Sequence, residues 1–119
     1  MRSMRGKIIV KGNLCMSDMF AVRKINYQGS IMVNICDQEL VGTKVSEGKL
    51  EVKITKDYFG QQLVSEDEAV DLLKSCAVAN LVGKRIVNKA VGMKLASSLS
   101  VRTISNIPFL MIFKFQRGY

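Results

Sequence analysis

The pattern of apolar and polar positions divides the chain into an N-terminal strand region, one long amphipathic stretch and a C-terminal hairpin. Phe20 to Asn26 alternates imperfectly, as a strand does, and Tyr27-Gln28-Gly29-Ser30 has turn composition with Gly29 available for positive φ. Ile31 to Cys36 then places Ile31, Val33 and Ile35 on one side, so the two runs predict a hairpin. Asp37 is placed to cap a short helical turn over Gln38 to Val41, ended by Gly42. After the turn Ser46-Glu47-Gly48, the run Lys49 to Thr55 (KLEVKIT) is the cleanest strand pattern, with Leu50, Val52 and Ile54 inward. Lys56 to Val64 reads as a loop around Tyr58-Phe59-Gly60, whose aromatics either plug the edge of the core or stack nucleobases.

The stretch Ser65 to Gly92 organises the rest. Ser65 and Glu68 form an S-x-x-E capping box, and Glu66, Asp67 and Glu68 fill a first turn where the helix dipole favours negative charge. Leu72, Leu73, Cys76, Ala77, Asn80 and Leu81 share one face at helical period, and Ile86, Val87 and Ala90 continue in phase beyond Gly83. A new helix at Lys84 would begin with two cations against its dipole. The spacing therefore predicts one long or kinked helix, stopped by Gly92, with Asn80 hydrogen-bonded to a neighbouring backbone. A Ser-rich connector, Met93 to Ser100, leads to a hairpin of Val101–Ile104 and Phe109–Phe115 around Ser105-Asn106-Ile107-Pro108. The expected fold is α+β: a mostly antiparallel sheet built from N- and C-terminal hairpins packed on one long or kinked helix.

Residues 19–119 read as a single domain, a normal size for one self-sufficient core. Residues 1–18 have no clear period, and Met4, Met16 and Met19 are each possible translation starts. This stretch is a basic N-terminal extension: either a start-site artefact or a flexible arm carrying Arg2, Arg5, Lys7 and Lys11. Its brief apolar run is broken by Lys11 and makes no signal-peptide core, and no segment is long enough to span a bilayer. Three widely spaced cysteines form neither a disulfide framework nor a zinc site and point to a reducing, cytoplasmic setting.

Charge adds the main functional signal. The net charge is +8, and residues 83–119 hold seven cations and no acid. Such a block suits a polyanion. The candidate phosphate contacts are Lys84, Arg85, Lys89, Lys94, Arg102, Lys114 and Arg117, together with the four cations of the extension. The chain has no histidine, which removes imidazole-based triads and zinc sites, and its glycines form no phosphate-binding loop. The acids Glu66, Asp67, Glu68 and Asp71 are explained by their place at a helix start rather than by a metal, and Cys76 by a place in the core. No catalytic residue, cofactor or metal site is expected.

Three stretches, Cys36-Asp37-Gln38-Glu39-Leu40-Val41-Gly42, Tyr58-Phe59-Gly60 and Ala77 to Arg85 (AVANLVGKR), resemble the archaeal domain-of-unknown-function 424 family in order and spacing. The final hairpin with Ile107-Pro108 fits as well, so the resemblance covers about Met19 to Phe115. It implies an α+β fold and an archaeal source, and it implies no established activity or functional residues. Some relatives have a His after the hairpin proline, where this chain has Phe109, so no role for that His carries over. The expected function is RNA binding by a ribosome-associated or ribosomal protein. It would contact rRNA or another structured RNA, with ribosomal proteins as neighbours and no membrane. A protein–protein adaptor is the alternative, and a small-ligand binder or enzyme working at Asn80–Gly83 is a third reading.

Overall fold

The computed structural model describes residues 19–60 and 62–114, so Arg2, Arg5, Lys7, Lys11 and Arg117 lie outside the described residues. β1 (Phe20–Tyr27) and β2 (Ser30–Asp37) form the expected hairpin, closed by a two-residue turn in which Gln28 and Gly29 both take positive φ, 52° and 83°. After a 3-10 turn at Gln38–Leu40, β3 (Lys44–Glu47) and β4 (Leu50–Lys53) make a separate two-stranded hairpin. The segment read as a loop contains α1 (Lys56–Phe59), capped by Thr55, and β5 (Gln62–Val64), which pairs with β1. Then follow α2 (Glu66–Ser75), β6 (Val78–Val82), α3 (Lys84–Gly92), β7 (Arg102–Ile104) and β8 (Ile107–Phe113). The main sheet has the order β5-β1-β2-β6-β8-β7, antiparallel throughout except for the parallel pair β2 and β6.

The α+β class and both terminal hairpins therefore stand, the second with a two-residue turn at Ser105 and Asn106 because Ile107 and Pro108 already pair as part of β8. The single long helix does not. Ser65 does cap α2 in a full capping box with Glu68. The helix ends at Ser75, however, and the residues expected to extend its apolar face form β6, an interior strand. The run from Cys76 to Val82 is almost wholly apolar, as suits a strand covered on both faces, and such short runs carry no period that separates strand from helix. The helical stretch does end at Gly92 as expected, but the left-handed residue that closes it lies two positions on. Lys94 takes the left-handed position (φ 62°), with its N–H on the Val91 carbonyl and that of Leu95 on Ala90, a Schellman ending.

β6 shows how the layers are arranged. Ala79 and Leu81 face α2 and α3, joining Val22, Val33, Ile35, Leu73, Ile86, Val87 and Leu110 in the larger core. Val82 faces the other way, into a smaller core with Cys36, Val45, Ile54 and Ile104 beneath the β3–β4 hairpin. One face of the main sheet is thus covered by two helices, and the other only in part.

Candidate functional site: an open sheet groove and a cross-chain helix cap

Strand pairing places defined rows of side chains on the partly covered face. Arg23 lies opposite Asn34, Asn34 opposite Asn80, and Asn80 opposite Met111, in one row across four strands. The neighbouring row runs Ile25, Met32, Val78 and Phe113. Met111 and Phe113 are each 54 % exposed, although both lie on a sheet face rather than a loop. Between these rows and the cap made by β4 and α1 lies a groove of about 590 Å³. Phe59, Val52 and Ile54 form its wall, Phe109 and Arg102 its far side, and Asn34 and Asn80 part of its floor. Among the described residues that line it, only Lys53 and Arg102 are charged, and both are cations.

The two asparagines are joined in a relay. Asn34 Nδ2 donates to the Tyr58 carbonyl at 3.0 Å, and Asn80 Nδ2 donates to Asn34 Oδ1 at 2.9 Å. Because a carbonyl accepts only, the Tyr58 oxygen fixes which end of the buried Asn34 amide faces it, and that in turn fixes Asn80. The sequence placed Asn80 on a buried helix face bonded to backbone; it sits instead on a strand, bonded to a side chain. The two aromatics have different environments. Phe59 packs on the smaller core, while Tyr58 is 59 % exposed at the groove.

A second constellation lies where β2 and β6 end side by side. Gly83 caps α3 with φ 116° and ψ 152°, a conformation largely confined to glycine. A Cβ there would lie 2.4 Å from Asp37 Cγ. This approach lets the buried Asp37 carboxylate accept from the Arg85 N–H (2.9 Å, Oδ2) and the Ile86 N–H (3.0 Å, Oδ1). Asp37 thus caps α3 rather than the 3-10 turn that follows it, where its side chain makes no capping bond. This also answers the objection to a helix starting at Lys84: the negative charge favoured there comes from β2, 48 residues away. Burial pushes the Asp37 carboxyl above its ordinary value, against the opposing pull of the two amides and Arg85. Burial likewise pushes the neighbouring Cys36 thiol up to about 12, with the Asp37 carboxylate adding to it, so Cys36 is protonated at neutral pH and a poor nucleophile.

The structure distributes the expected phosphate contacts over both faces. Arg85 Nη2 donates to Glu39 Oε1 (2.7 Å) and to the Met19 carbonyl (3.1 Å), and its guanidinium lies 4.7 Å from the centre of the Phe20 ring. Lys89 pairs with Glu66 of α2 at 2.7 Å, and Lys114 Nζ donates to the Leu73 carbonyl near the end of α2. Lys84 is exposed on α3 and Lys94 in the turn after it, whereas Arg102 lines the groove on the opposite face. Asn34, Lys53, Met111 and Phe113 were not singled out by sequence. Strand register puts Asn34, Met111 and Phe113 on one sheet face, and the packing of the separate β3–β4 hairpin brings Lys53 to the groove.

Replacing Asp37 with Asn keeps the shape but leaves an NH₂ facing a backbone donor. The expected cost is about 2 kcal/mol in urea unfolding. The pH dependence has a definite sign. A raised folded value means that the native state holds the proton more tightly, so the contribution of Asp37 is largest below the unfolded value and falls as pH rises through the folded one. Unfolding free energies measured from acid to neutral pH should show this falling component in the natural protein and not in Asp37→Asn.

A family model described as "Protein of unknown function (DUF424)" matches residues 25–115. The chain belongs to the DUF424 family. Its three resembling stretches converge in the fold: Asp37 of the first caps Arg85 and Ile86 just beyond Gly83 of the third, and Tyr58 of the second holds the Asn34–Asn80 relay. The fold is similar to a crystal structure of an uncharacterized conserved protein from Methanopyrus kandleri, with TM-score 0.72 and 13% identity over 85% of this chain and 96% of that one. At that identity the likeness shows the fold alone. No curated protein matches the chain. In this DUF424 chain no helix among the described residues is long and apolar enough to cross a membrane, and the Cys, Asp and Glu among those residues do not gather in threes that would hold a metal.

Proposed function

We propose that the protein binds RNA through the open face of its sheet, with an unpaired stretch lying in the groove. The carrying observation is the composition of that face: exposed Tyr58, Met111 and Phe113 beside a groove whose charged lining is wholly cationic. Aromatic and thioether groups offer stacking surface to bases, and Lys53, Arg102 and the adjoining Arg23 offer contacts to phosphates. The overall charge of +8 favours the same partner. Arg85 and Lys89, bound to acids of their own chain, contribute less than their sequence position suggests. A structured RNA with unpaired loops, such as rRNA, suits a site of this kind, and the protein is then a ribosome-associated component in the cytoplasm.

Sedimentation of native lysate through sucrose at low and high salt tests the ribosomal assignment. Co-migration with one ribosomal subunit is expected. Confinement to the top of the gradient at both salts would overturn that assignment. A protein adaptor would use Met111 and Phe113 without the cations, and its association would survive charge reversal at Lys53 and Arg102.

A further inference from the structure

The Asn34–Asn80 relay leaves one amide edge uncommitted. Asn34 spends Nδ2 on the Tyr58 carbonyl and Oδ1 on Asn80, and it is buried. Asn80 spends one N–H on Asn34 and retains its Oδ1 and a second N–H at the half-buried floor of the groove. An acceptor and a donor, fixed in orientation by a backbone carbonyl, are suited to reading the edge of a base. An unpaired adenine offers the complementary pair on both of its edges, N6–H with N1 and N6–H with N7. Cytosine (N4–H with N3), uracil (N3–H with a flanking carbonyl) and guanine (N1–H with O6) each offer such a pair on the Watson–Crick edge alone, and the outer edge of guanine presents two acceptors, a match for Arg rather than Asn. The apolar surround of Phe109, Tyr58 and Met111 favours the larger stacking area of a purine.

We infer that the groove takes one unpaired adenine base and that Asn80 reads its edge, an inference that rests on the RNA-binding reading. Asn80 sets specificity, Asn34 positions it, and the surrounding cations hold the backbone without regard to sequence.

The test is fluorescence anisotropy of the full chain with short single-stranded oligoriboadenylate, oligouridylate and oligo-N6,N6-dimethyladenylate. Dimethylation removes both N6 hydrogens and leaves the protein untouched. Adenylate is expected to bind about tenfold tighter than either of the others. Asn80→Ala should reduce the preference for adenylate over its dimethylated form to within about twofold, because that comparison reads the bond to Asn80, while the preference over oligouridylate that stacking supplies persists. Equal binding of all three oligomers by the natural protein would overturn the adenine assignment and leave RNA binding intact. Binding of none would overturn both. Since the three-oligomer comparison uses the natural protein, a fold defect in Asn80→Ala does not affect it.

Discussion

Gly83→Ala is expected to destabilise the protein by about 4 kcal/mol or more, a large fraction of the 5–15 kcal/mol typical of a domain. Two causes act together. The backbone at Gly83, φ 116° with ψ 152°, costs any L-residue on the order of 1–3 kcal/mol. The added methyl would also overlap Asp37, with Cγ at 2.4 Å and Oδ2 at 2.5 Å. The carboxylate cannot move aside without giving up the Arg85 and Ile86 amides, which are charge-assisted bonds of about 1.5–3 kcal/mol each. Urea unfolding of Gly83→Ala, Asp37→Ala and the double variant separates the two causes. The double variant should lose clearly less than the sum of the singles, because removing the carboxylate removes most of the overlap. A loss below about 1 kcal/mol for Gly83→Ala would show that this close approach is not what fixes the start of α3.

Reversing Lys53 and Arg102 together to Glu should weaken binding of unpaired RNA by roughly tenfold or more, with steep dependence on salt in the natural protein. Both are exposed cations that line the groove, so the reversal changes local charge without disturbing either core. For a single strand each neutralised phosphate adds about 0.7 to the slope of log affinity against log salt, so losing two contacts should flatten that slope by about 1.4. Reversing Lys84 and Lys89 should cost less than about threefold, because α3 covers the opposite face and Lys89 is already paired with Glu66. The opposite ranking would return the site to the helical cations.

Much of the fold was legible in local patterns. The β1–β2 hairpin, the capping box of α2 and the final hairpin each follow from a few residues close in sequence, and each is present. β6 was not legible, because its apolar run matches a helix face as well as a strand and its partner β2 lies more than forty residues away. Nor was the cap on α3: the helix starts with Lys84 and Arg85, and the acid that complements them arrives from another strand. The same non-local pairing hid the groove. Asn34 and Met111 look unremarkable along the chain, Asn80 stands out only as a polar residue on an apolar run, and the three become neighbours only through register. The sequence shows the excess of cations, but ion pairing and the choice of sheet face decide which of them line the groove.

The most direct measurement is ultraviolet crosslinking of the full chain to random-sequence single-stranded RNA oligomers, with crosslinked peptides identified by mass spectrometry. Crosslinks should fall at Tyr58–Phe59 and across Phe109–Phe113, the aromatic segments of the groove and the open sheet face. Crosslinks confined to α3, or none under conditions where RNA is bound, would contradict an RNA-binding sheet face.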